Sequence, residues 1–333
     1  MIPNPKHLDH NRRLSRTLSG RMSTLECYTY QVTDDSIIAF INEGYANTYG
    51  FTPITLGEFQ KVKEDEGFDT KNFILAFLNN ELAGLCLTLT SKGFGKAYLK
   101  WLCVHPKHRG IGLGKALIVQ CFEHLKNMGA KDLQAGPFDV RDSKTHGFML
   151  RMGFTAVSHE LLMRINLKRA LEIQGLPEGY SLRSLRPGDE EGWLKVRNRA
   201  FRDEAISNHP WSIDQFRREF VESAYSEEGR IFIAEHYGEV VGTASAWFMK
   251  LGEARKPVVH WLAVLPEHRR IGLGKALTLQ VLYHFKELGF AEVWLITYAE
   301  LGVAVRLYRR FGFNVERERI TYSRQLSGRT SST

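Results

Sequence analysis

Two Gly-rich corners are the parts of this 333-residue chain whose residue types and spacing indicate chemistry. They span Arg109–Gly114 and Arg269–Gly274, and both read Arg-x-x-Gly-x-Gly. Each corner follows a short apolar run that ends in Pro, and each leads into an amphipathic helix. Glycines let main-chain N–H groups approach a bound group, and at a helix N-terminus these groups carry about half a positive charge. The spacing therefore predicts that each corner binds an anion such as a diphosphate.

The two corners belong to an internal duplication. Residues 101–133 and 261–293 share seventeen identities in thirty-three aligned positions. Neither corner is a P-loop, because Lys115 and Lys275 are followed by Ala and the glycines lack the four-residue spacer. A single Gly-x-Gly is often an ordinary strand-to-helix turn, whereas two copies with the same Arg and flanking strand favour binding.

These residues resemble the signature of the GNAT N-acetyltransferases, Arg or Gln-x-x-Gly-x-Gly or Ala, which holds the pyrophosphate of acetyl-CoA. The segment Leu307–Phe313 is similar to a second element of that family. Because the pattern occurs twice, the chain is similar to the tandem subgroup that includes mycothiol synthase. The resemblance implies acetyl-CoA as cofactor and acetyl transfer to an amine by direct attack, without a covalent enzyme intermediate.

The resemblance also implies which residues hold the cofactor. The strand before each corner would hold the thioester carbonyl through its main chain, and the corner would hold the diphosphate. In the second copy these residues are Leu262, Ala263, Val264, Arg269, Arg270, Ile271, Gly272, Leu273, Gly274 and Lys275. In the first copy they are Leu102, Cys103, Val104, Arg109, Gly110, Ile111, Gly112, Leu113, Gly114 and Lys115.

A Tyr shortly before a Gly-Phe pair is the usual acid of the family, and Tyr308 has this position. A phenol with a pKa of about 10 suits a departing thiolate. The first copy has Met149 there, which cannot donate a proton. The comparison predicts that the second domain does the chemistry, although a packed aromatic is the alternative interpretation of Tyr308.

The general base is indicated less directly. The family often has a Glu on the strand before the corner, and the alignment places Val258 at that position. His260, two residues further on the same strand face, is the candidate base because an imidazole can accept a proton at neutral pH. A structural His is the alternative interpretation, with Glu235 or a water chain as base. The first copy has Lys100 at the position equivalent to His260, and a lysine is a poor base there. A second departure from the family concerns the cofactor: Leu301 replaces an Asn that contacts it in the family.

Acidic and aromatic residues between two predicted helices of the second half resemble the acceptor-facing stretch of the subgroup. We expect Asp203, Glu204 and Trp211 to contact the substrate, although exposed acids are often only solvated. The acceptor predicted first is a small-molecule amine. A protein N-acetyltransferase and a catalytically silent acyl-CoA-binding regulatory protein are the alternatives.

Composition restricts the remaining function classes. No apolar run approaches the ~18 residues of a membrane span, so we expect no membrane partner. The net charge of +8 comes from dispersed basic residues, which favours a polyanionic cofactor over nucleic acid. Four cysteines lack disulfide or metal-ligand spacing, which indicates no metal site and a cytoplasmic location. We expect a monomer or homodimer.

The same order of elements recurs in both halves: helix, apolar hairpin, strand, corner, long helix and a further strand. This order predicts an α/β (α+β) fold of two tandem GNAT domains, each with a mixed, mostly antiparallel central sheet and helices on both faces. The predicted segments are a flexible basic tail (1–25), an N-terminal domain (26–165), a linker (166–179), a C-terminal domain (180–326) and a second tail (327–333).

Overall fold

The computed structural model describes residues 14–18, 21–27, 32–49, 51–91, 95–168, 175–203, 209–251 and 254–326. The α-helices are α1 (Asp34–Tyr45), α2 (Leu56–Lys63), α3 (Leu113–Asn127), α4 (Ser143–Arg151), α5 (Glu190–Ala200), α6 (Ile213–Phe216), α7 (Leu273–Glu287) and α8 (Gly302–Phe311). Single 3-10 turns span Thr70–Asn72, Pro106–His108 and Pro266–His268, and a π turn spans Arg217–Val221. The strands are β1 (Leu14–Leu18), β2 (Arg21–Cys27), β3 (Phe73–Leu78), β4 (Glu81–Ser91), β5 (Lys96–Val104), β6 (Asp132–Asp139), β7 (Thr155–Asn166), β8 (Tyr180–Ser184), β9 (Arg230–His236), β10 (Glu239–Leu251), β11 (Ala254–Val264), β12 (Glu292–Tyr298) and β13 (Asn314–Gln325).

The chain forms two compact units. The first contains Met1–Val157 with Arg319–Thr333, and the second contains Ser158–Glu318. In the first unit the strand order is β1-β2-β3-β4-β5-β6-β13, and in the second it is β7-β12-β11-β10-β9-β8. The pairs β5/β6 and β11/β12 are parallel, and the other strand pairs with a described register are antiparallel. The predicted mixed, mostly antiparallel sheet is confirmed.

Each unit is completed by a strand from the other half of the sequence. β7 pairs with β12, with Asn166 opposite Glu292, and β13 pairs with β6, with Gln325 opposite Asp132. The compact units therefore differ from the predicted domains at their closing strands, because a repeat in sequence does not specify the partner of an edge strand. The expected tail 1–25 also differs, since residues 14–18 and 21–25 lie in strands; the rest of both tails lies outside the described residues.

Helices cover both faces of each sheet, as predicted. Along β3, Phe73 and Leu75 pack in the cluster that contains α1 and α2, whereas Ile74 and Ala76 pack in the cluster that contains α3. β9 repeats this alternation between the α7 face and the face covered by α6. Burying each large apolar side chain contributes about 1.5–3 kcal/mol, so this two-sided burial stabilises β3 and β9 within the two sheets. No helix in the described ranges has the length and apolar character to cross a membrane.

Candidate active site

The strand before each corner separates from its parallel neighbour. In the second unit the β11/β12 ladder has Val258 opposite Trp294, well before β11 ends. A bulge follows at Trp261, where φ is +46°. The ladder does not reach Leu262–Val264, so the polar main-chain groups on that edge of the segment are not used by β12 in the described structure.

The first unit repeats this geometry. The β5/β6 ladder ends with Leu99 opposite Ala135, and Lys100 is the extra residue of a bulge against β4. The Nζ of Lys100 lies 5.9 Å from the Trp101 ring centroid. The separation of strands is therefore present twice, and it leaves main-chain groups beside both corners.

The Arg of each corner positions the corner. In the second unit Arg269 donates from Nε to Val264 O (3.0 Å) and from Nη2 to Ala200 O (3.0 Å). Arg109 makes the equivalent bonds to the carbonyl at the end of β5 and to Gly44 O. The main-chain N–H of each Arg donates within the preceding 3-10 turn. These side chains join the strand end to a helix end, and their contact with the cofactor stays a prediction.

The N–H groups that can hold an anion come from the helix start. In α7 the N–H of Ala276 donates to Gly272 O at 3.0 Å, so the N–H groups of Leu273–Lys275 precede the first helical bond. Gly272 has φ +96°, a conformation that favours glycine. A Cβ added at Gly274 would lie 3.6 Å from Leu307 Cδ2, which is an ordinary contact. Protein packing therefore does not require a glycine at 274.

The first corner has the same construction. Ala116 N–H donates to Gly112 O at 3.0 Å, and Gly112 has φ +91°. A Cβ added at Gly114 would lie 3.6 Å from Phe148. The residues two before the capping glycines, Gly110 and Arg270, also have positive φ, at +83° and +68°. Among the other predicted cofactor residues, Cys103, Leu113, Ala263 and Leu273 are buried, Lys115 and Ile271 are exposed, and Ile111 and Lys275 are intermediate.

Tyr45 hydrogen-bonds to the main chain of β5 in the first unit. Its hydroxyl donates to Leu102 O (2.8 Å) and accepts from Leu102 N–H (3.1 Å). Tyr45 directly follows the carbonyl that binds the corner Arg, and Phe201 has that place in the second unit. Phe201 has no hydroxyl, so these two bonds cannot form at Leu262. The duplicated strands thus differ at the residue expected to hold a thioester carbonyl.

Tyr308 lies in the last turn of α8 and is buried. Its hydroxyl makes no hydrogen bond to another described residue, and its ring lies 5.7 Å from that of Phe313, centroid to centroid. Burial raises the pKa of Tyr308, because the phenolate would lose its hydration, so the phenol keeps its proton at neutral pH. Met149 is buried near the end of α4 in the first unit.

His260 pairs with a residue that the sequence did not indicate. His260 Nε2 lies 3.0 Å from Glu219 Oε1, and this hydrogen bond lowers the pKa of Glu219 below its ordinary value. Glu219 lies in the π turn Arg217–Val221, which directly continues α6. π turns insert one residue into a helix and often mark functional positions. The apolar pattern predicts the helix but not the inserted residue, so no local signal identifies Glu219.

The other candidate base is held elsewhere. Glu235 on β9 binds Arg183, which also binds Asp189. Val258, where the family often has Glu, is buried in an apolar cluster and offers no acid. Leu301 precedes α8 without a side-chain cap, so the amide expected from the family is replaced by an apolar residue.

Of the predicted substrate residues, Trp211 is joined to the strand that carries His260. Its main chain accepts from and donates to the side-chain amide of Asn198, at 3.0 Å and 2.7 Å. Its ring packs edge-on against Trp261, with centroids 4.7 Å apart. Asp203 is exposed after α5, and Glu204 lies outside the described residues.

Both units thus contain a separated strand followed by a glycine-capped helix start. The sequence model of the acetyltransferase (GNAT) family matches residues 37–154 and 192–313. The chain therefore belongs to the GNAT acetyltransferase family and is an acyltransferase enzyme. The expected resemblance is confirmed.

Relatives and solved structures agree with this assignment. The mycothiol acetyltransferase of Thermobispora bispora is 34% identical over 250 residues, covering 72% of this chain and 79% of the relative. That of Actinosynnema mirum is 29% identical over 280 residues, covering 82% and 90%. A GCN5-related N-acetyltransferase from Sphaerobacter thermophilus superposes with a TM-score of 0.62 at 22% identity, covering 88% of this chain and 92% of that structure. A tandem GNAT protein from the clavulanic acid biosynthesis pathway gives a TM-score of 0.58 at 18% identity, covering 89% and 97%.

Proposed function

We propose that this enzyme transfers the acetyl group of acetyl-CoA to the amine of a small molecule by direct attack, and that the unit Ser158–Glu318 does the chemistry. The observation that carries the choice of unit is Tyr45, which uses both main-chain polar groups of Leu102 where the second unit has Phe201. The pair Met149 and Tyr308 supports the same choice, because only the phenol can supply a proton.

The second corner has the donors that acetyl-CoA needs. The N–H groups of Leu273–Lys275 would hold its diphosphate at the positive end of α7. The main chain of Leu262–Val264 would hold the thioester carbonyl, and donors fixed before the reaction stabilise developing negative charge without reorganising. Acetyl-CoA supplies the activated acetyl group and leaves as the thiol. Binding at the first corner is proposed as well, since Gly112 caps α3 as Gly272 caps α7.

His260 is the proposed base. An amine is mostly protonated at neutral pH and has to lose a proton before it attacks. If Nε2 donates its proton to Glu219 Oε1, the tautomer is set and Nδ1 is left to accept the amine proton. Tyr308 is the proposed acid, because its place shortly before Gly312 and Phe313 matches that of the usual acid of the family.

A small-molecule acceptor is supported by the relatives that carry the name mycothiol acetyltransferase. We propose Trp211 as a wall of the acceptor site and the exposed Asp203 as a contact for a cationic amine. The proposed compartment is the cytoplasm, with the free, buried thiols of Cys86, Cys103 and Cys121 as support.

Calorimetric titration of acetyl-CoA into the wild type, Gly112→Glu and Gly272→Glu tests this proposal. Each substitution puts a bulky anion where one helix start would bind the diphosphate. We expect two sites in the wild type and one in each variant, with CoA release from a panel of amines lost only in Gly272→Glu. Full activity in Gly272→Glu would contradict the choice of unit. Absence of any acetyl-CoA binding would contradict the function.

A further inference from the structure

A buried cation with no counter-charge in the described part of the chain lies beside the proposed acceptor site. Arg197 in α5 is 3% exposed. Its Nη1 donates to Asn198 Oδ1 (3.2 Å) and to His209 O. Its Nε is buried without a hydrogen-bond partner, and no carboxylate within the described ranges forms an ion pair with it. Burying a cation without an anion is costly, so an anionic partner is expected at this place.

Aromatic rings surround the guanidinium. The centroids of Trp211 and Trp261 each lie 4.9 Å from Arg197 Cζ, and that of Phe201 lies 5.8 Å away. These cation–π contacts offset part of the lost hydration but do not neutralise the charge. Burial lowers the pKa of Arg197 to about 10, so the group stays charged at neutral pH. Trp261 Nε1 is also buried and unpartnered, so the cluster has at least two N–H donors without acceptors in the described structure.

The cluster adjoins the proposed catalytic groups. Trp261 directly follows His260 on β11, and their ring centroids lie 5.1 Å apart. Trp261 is also the bulge residue that leads into Leu262–Val264. A ligand at Arg197 would therefore be one aromatic side chain away from the base and the strand proposed to hold the thioester.

We propose that Arg197 binds a carboxylate of the acceptor, so that the substrate class is an amine with an anionic group and an apolar body. Because Nη1 makes both existing bonds, Nε and Nη2 remain, and these two donors form the side of a guanidinium that binds a carboxylate with two parallel bonds. The tryptophan rings provide the apolar surface for the body of the molecule. This assignment rests on the proposed function for the amine, although the carboxylate site itself is tested by binding alone.

The test compares two probes, 4-(aminomethyl)benzoate and 4-(aminomethyl)benzamide, which share the amine and the ring and differ in charge. Binding is followed by calorimetry and tryptophan fluorescence in the absence of acetyl-CoA. We expect the carboxylate to bind at least ~10-fold more tightly than the amide, as for one charge-assisted bidentate pair. That preference should disappear in Arg197→Met and persist in Arg199→Met, a matched control two residues along α5 whose side chain pairs with Glu267 at the surface. Equal affinities in the wild type, no binding of either probe, or a preference that survives in Arg197→Met would overturn the proposal.

Two further variants test whether the planar guanidinium or only its charge is needed, and whether the anion binds at the second corner instead. Arg197→Lys keeps the charge without the planar fork and should lose most of the preference. Gly272→Glu changes the second corner and leaves the aromatic cluster in place. If the preference for the carboxylate probe is lost in Gly272→Glu but kept in Arg197→Met, the carboxylate binds at the corner and the proposal is overturned. Arg197 also binds His209 O, so thermal unfolding checks each variant. If Arg197→Met does not fold, the wild-type ratio and Arg197→Lys decide. Because acetyl-CoA is absent, failure of acetyl transfer does not alter this outcome.

Discussion

The Tyr45 hydroxyl lies 2.8 Å from Leu102 O and 3.1 Å from Leu102 N. One phenol therefore binds both polar main-chain groups of a strand residue beside the first corner. The second unit has Phe201 at the equivalent place. The duplicated halves thus differ by one oxygen atom where a thioester carbonyl would be held, and this difference can be moved from one half to the other by substitution.

In Phe201→Tyr the new hydroxyl should bind the main chain of Leu262, as the Tyr45 hydroxyl binds that of Leu102. We expect kcat to fall by about 10²–10³-fold, the usual effect of losing one carbonyl-stabilising donor. Acetyl-CoA affinity should change little, because the helix start at Gly272 is untouched. Steady-state kinetics and calorimetry measure the two quantities. Tyr45→Phe is the matched control and should leave kcat unchanged while lowering the free energy of unfolding by about 1–2 kcal/mol. An unchanged kcat in Phe201→Tyr would contradict the assigned role of Leu262–Val264.

Tyr308→Phe should lower kcat by about 10²-fold, because the departing thiolate loses its proton donor. Its free energy of unfolding should stay within about 0.5 kcal/mol of the wild type, since the hydroxyl makes no hydrogen bond to another described residue. Burial raises the pKa of Tyr308, so its ionisation should not reduce kcat as the pH rises to about 9. Tyr322→Phe is the control: that hydroxyl bonds His146 Nδ1 at 2.7 Å, so stability should fall while kcat is kept. If Tyr308→Phe instead loses stability and keeps kcat, Tyr308 is a packing residue.

His260→Ala should lower kcat/KM by about 10²–10³-fold, and Glu219→Gln by about tenfold, because Glu219 orients the imidazole rather than accepting the amine proton. The double variant should be no worse than His260→Ala, since both changes remove one function. Glu235→Gln is the control, because Arg183 already holds that carboxylate in an ion pair. It should lose stability and keep kcat/KM at neutral pH. A larger loss of kcat/KM in Glu235→Gln than in His260→Ala would make Glu235 the base.

Glu292 should make the stability of the second unit sensitive to acid. Lys256 Nζ at 2.9 Å, together with Arg164 and the Trp294 indole, lowers the pKa of Glu292 from 4.5 to about 2. Since the folded pKa lies below the unfolded one, the stabilisation is complete above about pH 4.5 and is lost as the pH falls towards 2. Glu292→Gln should lower the free energy of unfolding by about 1–2 kcal/mol at pH 7.

Urea unfolding at several pH values measures this effect, and the difference from the wild type should shrink below about pH 4.5. Glu267→Gln removes an exposed ion pair with Arg199 and should show a much smaller pH-dependent difference, because solvent screens that pair. If the free energy of unfolding of Glu292→Gln differs from that of the wild type by the same amount from pH 7 into the acid range, the carboxylate acts through its shape rather than its charge.

Short-range patterns determined much of this fold from the sequence alone. The duplication, both corners and the helices after them could be predicted because capping, φ preference and apolar period act over a few residues. The predicted hairpin turns contain Asn79 and Asn80 at φ +51° and +67°, and Tyr237 and Gly238 at +47° and +88°. Tyr308 and Met149 could be compared because each follows a local helix pattern. The sequence thereby specified the family, the repeated plan and the unit expected to do the chemistry.

Contacts between distant elements were decided by the tertiary structure alone. β7, from the first half of the sequence, pairs with β12 of the second unit, and β13, from the second half, pairs with β6 of the first unit. The sequence could not predict this exchange, because the alternation of side chains along a strand is the same whichever strand it pairs with. The π turn brings Glu219 to His260 across 41 positions, a change of helical phase that an apolar pattern does not encode. Arg197 reads in sequence as one more charge on a helix. Packing buries it among rings with no acid among the described residues, and the cost of an unpaired buried charge is the reason we propose a ligand's carboxylate as its partner.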